Sequence, residues 1–179
     1  MTDKLAGKVA VITGSGRKGG LGEAIAKRLA SDGATIVLSD IGTSRDSATP
    51  HDMIGSGSEM DVIKVEIAAL GVPVSSAFCH VRNWDEVSGL ADHAVGTHGG
   101  IDIWVNNAGI GYIMKPLLEV TPGDWGAVID VNLTGAFYGL RAAAERMISR
   151  GKGGRIINIA SQAAKSGFAC AQAYTASKH

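Results

Sequence analysis

The chain has 179 residues, 45% of them hydrophobic and 19% charged, an ordinary balance for one globular domain with a sizeable core. Lys+Arg and Asp+Glu both number 17, and the resulting zero net charge lacks the basic excess of a nucleic-acid binder. No apolar run approaches the ~20 residues needed to span a bilayer, so no membrane partner is expected.

Residues 1–8 are polar and lack the apolar core of a secretory signal. Cys79 and Cys170 lie far apart and show no metal-ligand spacing; two free thiols in the reducing cytoplasm are the expectation. Val9-Ala10-Val11-Ile12 is a short apolar run that meets a glycine cluster, as a buried parallel strand does. Leu21, Ile25 and Leu29 then recur every four residues, on one face of a helix ending near Gly33. Residues 35–38 form a second strand. Residues 42–58, rich in Gly, Ser, Thr and Pro, read as an exposed loop, 59–70 as a helix and 72–79 as a third strand.

Asn83 caps the next helix, which carries an acid at Glu86 and runs to about His98. A fourth strand covers residues 101–105. Thr121-Pro122-Gly123-Asp124 opens a long helix continuing to about Ser149, with Pro122 in the first turn where its missing N–H costs nothing. Gly153-Gly154 breaks the chain before a fifth strand at 155–160, and a last helix begins near Ala171. Apolar strands alternating with helices predict a parallel sheet covered on both faces. Right-handed crossovers then favour a Rossmann-like doubly wound sheet in three α/β/α layers. With no internal repeat and no linker, residues 1–179 read as a single domain.

The glycine-rich loop carries the first functional signal. TGSGRKGGLG occupies residues 13–22, after a strand and opening a helix, and a literal GxGxxG runs through Gly14, Gly16 and Gly19. Glycines let the backbone approach a pyrophosphate, whose charge then sits at a helix N-terminus. Asp40 closes the second strand, where a carboxylate accepts hydrogen bonds from ribose hydroxyls and repels a 2′-phosphate. NAD(H) is therefore the preferred cofactor. Arg17 and Lys18, either of them long enough to reach a phosphate, keep NADP(H) open; the other reading is two solvated loop charges.

Four further motifs follow in order: Asn106-Asn107-Ala108-Gly109 after the fourth strand, Asn132 in the long helix, Ser161 at the end of the fifth strand, and Tyr174-Thr175-Ala176-Ser177-Lys178 in the last helix. Four-residue spacing puts Tyr174 and Lys178 on one helical face, where an ammonium favours the ionised form of a phenol. An asparagine within an apolar helical stretch is disfavoured by propensity, which gives a functional reading of Asn132 some weight.

Together these residues resemble the classical short-chain dehydrogenase/reductase family, and the resemblance covers essentially the whole chain. The family's TGxxxGxG places its last GxG against the helix, here Gly20 and Gly22. Five residues rather than three separate Gly14 from Gly20, so the loop carries a two-residue insertion. The resemblance implies Gly14, Ser15, Gly20, Leu21, Gly22, Asp40, Ile41, Val81, Asn107, Ala108, Gly109, Tyr174 and Lys178 as cofactor-binding residues. His80 stands where the family usually has an aspartate that contacts the adenine. Asn132, Ser161, Tyr174 and Lys178 become the catalytic residues of an oxidoreductase interconverting a secondary alcohol and a ketone. In that scheme Tyr174 exchanges the hydroxyl proton, Ser161 orients the oxygen, Lys178 holds the nicotinamide ribose, and Asn132 supports a proton relay. No metal is implied.

Residues 110–118 and 162–173, with Tyr112, Met114 and Phe168, are expected to line the substrate pocket. Family members continue past this point with at least a sixth strand, a substrate lid and oligomer contacts. A longer enzyme is therefore the expectation, a dimer or tetramer in full. Two alternatives stay open: a dinucleotide-binding fragment or sensor without catalysis, and an extended-branch nucleotide-sugar epimerase or dehydratase. The NNAG run and the TG-type loop speak against the second.

Overall fold

All five side chains of β1 (Val9–Thr13) are buried, as its unbroken apolar sequence requires of a strand covered on both faces. In the computed structural model, which describes residues 3–45, 54–111 and 113–179, four further strands join it: β2 (Thr35–Asp40), β3 (Val74–Phe78), β4 (Ile103–Asn106) and β5 (Arg155–Asn158). All neighbours pair in parallel, in the order β3-β2-β1-β4-β5. Val11 lies opposite Val37 on one side and Trp104 on the other, at the sheet's centre.

The described residues form helices α1 (Leu21–Ser31), α2 (Gly57–Ala68), α3 (Trp84–His98), α4 (Pro122–Ile129), α5 (Gly135–Arg150) and α6 (Gln172–Lys178); α1, α2, α3 and α5 cover the sheet, while α4 and α6 pack on each other. Alternation along the strands sends Ala10, Ile12, Ile36 and Leu38 to the face packed by Ala26 and Ala30 of α1 and Met60, Ile63 and Ile67 of α2. Val9, Val11, Val37 and Trp104 face the other layer, against Val87 and Leu90 of α3 and Ala142, Ala143 and Met147 of α5. The three-layer, doubly wound expectation holds.

Several boundaries move, each for a local reason. β3 starts at Val74 because Pro73 has no N–H for the ladder, although its carbonyl still accepts from Ile36. β4 starts at Ile103 because Asp102 spends its side chain on the Val9 N–H, at 3.0 Å. α2 begins at Gly57, two residues early, behind a reciprocal capping box between Ser56 and Glu59. Of the loop expected at 42–58, residues 46–53 lie outside the described residues. The caps read for Asn83 and Thr121 are present, Thr121 in a capping box with Asp124. The long helix divides into α4 and α5 around one wide, π-helical turn, Asp130–Thr134.

β5 ends at Asn158, so Ser161 does not close the strand as expected. Its extended backbone instead caps a short 3₁₀ turn, Gln162–Ala164, with its Oγ accepting from the Ala163 N–H at 3.2 Å. Among the described residues, no helix is long and apolar enough to cross a membrane.

Candidate active site

A cleft of about 580 Å³ opens at the C-terminal ends of all five strands, across the point between β1 and β4 where the strand order reverses. Open α/β sheets take their ligands at such a point. Gly14, Gly20, Leu21, Gly22, Asp40, Ile41, Val81, Asn107, Ala108, Gly109, Tyr174 and Lys178 all line this cleft.

The glycines are there because side chains do not fit. A Cβ on Gly14 would sit 2.7 Å from the Ala108 Cα, and Gly14 also holds φ +65°, a conformation that favours glycine. One on Gly22 would run into the Gly14 carbonyl and the Asn107 side chain. No side chain caps the N-terminus of α1, which leaves its first-turn amides open toward the cleft. Open amides, a bare glycine floor and a positive helix end suit a pyrophosphate.

Ser15 turns the other way. Fully buried, it donates to the Ile12 carbonyl at 2.9 Å and accepts from the Ser39 N–H at 3.0 Å, tying the ends of β1 and β2 together. Asp40 accepts from the N–H groups of Gly16 and Ile41, each at 2.8 Å. Burial raises its pKa, and those two bonds with the Arg17 charge oppose the rise.

Asn107 donates through Nδ2 to the carbonyls of Thr13 and Gly14, at 2.8 Å each, while the Thr13 hydroxyl accepts from the N–H groups of Asn107 and Ala108. Asn106 reaches the other way, to the Ala136 carbonyl at 3.1 Å and the Asn158 side chain at 2.8 Å. The NNAG run thus locks β4 to both neighbours.

Asn132 sits in the π-helical turn, 5% exposed. Its Oδ1 accepts from the Ile110 N–H at 2.8 Å, and its Nδ2 donates to the Ile110 carbonyl at 2.9 Å and to Ser177 Oγ at 3.0 Å. Ser177 in turn donates to the Tyr174 carbonyl at 2.8 Å. Both Nδ2 hydrogens are used inside the protein, so Asn132 fastens the segment after β4 to the helix that carries Tyr174. Lys178 donates to the Ile159 carbonyl at 2.9 Å, with its Nζ 5.9 Å from the Tyr174 ring centre; burial lowers its pKa. The Tyr174 ring packs on Gly111, where a Cβ would come within 3.0 Å.

Ser161 lies outside the lining of this cleft, and so does the whole of residues 162–173; among the described residues of the expected 110–118 wall, only Ile110 and Gly111 belong to it. Phe168 stands 6.5 Å, ring centre to ring centre, from Tyr174, and Tyr112 lies outside the described residues. Sequence reasoning missed Ile54, Gly55, Cys79, Val131, Ile159 and Ala160 in the lining. Cys79, Ile159 and Ala160 were within reach of the rule that strand C-terminal ends face the ligand. Ile54 and Gly55 return from a distant loop with no local signal. Cys79 is an inert lining group, since burial and the nearby Glu86 push its thiol up to about 12.

Fold and cleft together define an α/β protein with a tyrosine–lysine pair in the cleft at the sheet's switch point. The family model for short chain dehydrogenases matches residues 8–179, and the chain belongs to that family. It is 36% identical over 174 residues to 3beta-hydroxysteroid dehydrogenase 2 of Eggerthella lenta, spanning 97% of this chain and 61% of that one. L-2,3-butanediol dehydrogenase of Corynebacterium glutamicum is 35% identical over 96% of this chain and 60% of its own length. The NAD complex of carveol dehydrogenase from Mycobacterium avium superposes with a TM-score of 0.90 at 31% identity, covering 98% of this chain and 62% of that one. An NADP complex of a metagenomic short-chain oxidoreductase gives 0.81 at 39% identity, covering 98% and 72%. The chain thus spans about 60% of the length of the curated relatives it matches.

Proposed function

We propose that this chain carries the cofactor site and proton-transfer pair of an enzyme interconverting a secondary alcohol and a ketone, with NAD(H) preferred. The observation that carries the reading is that Tyr174 and Lys178 line the same cleft as Gly14, Gly22 and Asp40. The similar proteins named for a hydroxysteroid and a butanediol support a small hydroxylated substrate.

Bound in the cleft, the nicotinamide would supply or accept the hydride. The Tyr174 hydroxyl takes or gives the alcohol proton. Lys178, held by the Ile159 carbonyl, sets its Nζ 5.9 Å from the Tyr174 ring centre. Asn132 keeps that helix in register through Ser177. Ser161 accepts from the Ala163 N–H and keeps its hydroxyl proton to offer a substrate oxygen. Asp40 has room to accept from ribose hydroxyls beyond its two backbone donors, and its charge opposes a 2′-phosphate, which supports the NAD(H) preference.

The test is NADH titration followed by turnover of a panel of secondary alcohols. Tyr174→Phe should leave NADH affinity within about twofold and cut turnover by ~10²-fold or more. Absence of NADH binding, or full turnover by Tyr174→Phe, overturns the proposal.

A second reading, cofactor binding without turnover, is favoured by the substrate side. Ser161 lies outside the cleft lining. It predicts NADH binding, no turnover of any alcohol, and no effect of Tyr174→Phe. Self-association belongs to the first reading, supported by Leu133, Phe137, Leu140 and Ile148, which stand exposed along the π-helical turn and α5.

A further inference from the structure

In the inserted part of the glycine-rich loop Arg17 lines the cleft, whereas Lys18 makes its polar contacts away from it. Lys18 Nζ donates to Glu23 Oε1 at 2.8 Å and to both oxygens of Glu66, at 2.8 and 2.7 Å. Lys27 Nζ donates to the same two carboxylates, at 2.7 and 2.6 Å. Two lysines and two glutamates thereby close a ring in which each charge touches both opposite charges. Its members come from three places: Lys18 from the loop, Glu23 and Lys27 from α1, Glu66 from α2.

Backbone contacts follow the same pattern. The Lys18 N–H donates to Glu59 Oε1 of α2 at 3.2 Å, and the Gly19 N–H to Glu23 Oε2. Gly55, in the segment leading into α2, lies against the Gly16–Arg17 peptide so closely that a Cβ there would overlap it. Glu23 is 6% exposed and sits in the first turn of α1, where an uncompensated carboxylate would repel a phosphate bound at the same helix end. The ring supplies the compensation and sums to zero charge.

We propose that Lys18 is a positioning residue for the dinucleotide. By closing this ring it ties the inserted loop to α2 and neutralises Glu23, so that Gly20, Leu21 and Gly22 present their amides to the pyrophosphate, and it does not itself hold a cofactor phosphate. The proposal rests on the reading of the cleft as a dinucleotide site. Isolated surface ion pairs contribute little, and closed networks more. Lys18, Lys27 and Glu66 keep side-chain exposures of 37–39%, so the ring is open to screening by salt.

Amide hydrogen exchange of the peptide spanning residues 14–23 in the cofactor-free chain reads the clamp directly. NADH and NADPH titrations read its consequence. In Lys18→Met, exchange in the loop should accelerate, and affinity for both dinucleotides should fall by the same factor, roughly threefold to tenfold. Lys18→Arg should recover most of the loss. Glu66→Gln, which is remote from the cleft lining, should reproduce it in part. The gap between wild type and Lys18→Met should close as salt is added.

A selective loss of NADPH affinity in Lys18→Met overturns the proposal by making Lys18 a phosphate ligand. Unchanged exchange together with unchanged affinity overturns it by making the ring a surface ornament. Failure of the wild-type chain to bind either dinucleotide refutes the cofactor reading and the affinity claim with it; loop exchange in the same samples then still decides whether the clamp exists.

Discussion

At one end of the cleft, Gly16, Asp40, Ser15 and Ser39 join the tips of two central strands, and a ring of four charges holds the loop from outside. At the other end, Tyr174 and Lys178 ride on the seven-residue helix α6, fastened by Asn132 through Ser177 and by Lys178 to the Ile159 carbonyl. β1 buries every side chain, whereas β5 exposes most of its own. The cofactor end is thus supported by the packed core on both faces of the sheet. The catalytic end depends on a few side-chain hydrogen bonds between segments distant in sequence.

Removing the polar anchor should show this most strongly. Asn132→Leu leaves the Ile110 N–H and carbonyl and the Ser177 hydroxyl without their partner, and should cost about 2–4 kcal/mol in urea unfolding, with α6 losing exchange protection first. A loss confined to the β1–β2 region would break the comparison. Next comes Gly22→Val, whose side chain would meet the Gly14 carbonyl; it should weaken NADH binding by roughly tenfold to a hundredfold while α6 keeps its protection.

Glu23→Gln sharpens the comparison through pH. Burial alone would raise this carboxyl, but hydrogen bonds from Lys18, Lys27 and the Gly19 N–H bring it down to about 2, from 4.5 for an unperturbed glutamate. The folded state therefore gains from the ionised form above pH 4.5 and loses that gain as pH falls toward 2. At neutral pH the variant should melt roughly 2–4 °C lower than wild type, and the gap should vanish through that acidic window. A gap independent of pH would mean the side chain matters by packing alone. Smallest is Ile148→Ser, 78% exposed on α5. Stability should stay within about 0.5 kcal/mol, and a lower mass in light scattering would tie the exposed face to self-association.

The sequence made the cofactor end legible because its determinants are local: a strand, a glycine loop, a helix start and an acid at the next strand's end. Strand order followed from alternation and handedness. Ser161 was misplaced because β5 stops with β4, its sheet neighbour, a limit set by pairing rather than by the apolar run through Ile159 and Ala160. Ser177 gave no signal, since its role arises only once Asn132 is folded against it. The ion-pair ring was half visible: Glu23 and Lys27 share a helix at four-residue spacing, but Lys18 and Glu66 meet across 48 positions.

The wide turn at Asp130–Thr134 amounts to one extra residue inside what would otherwise be a single regular helix. It sets the angular phase of α5 apart from that of α4, so the face α5 lays on the sheet and the direction in which Asn132 points are not bound to one periodicity. A one-residue deletion between Asp130 and Thr134 would restore an unbroken helix yet turn everything downstream by about 100°. Here a perfectly regular helix would be the defective one.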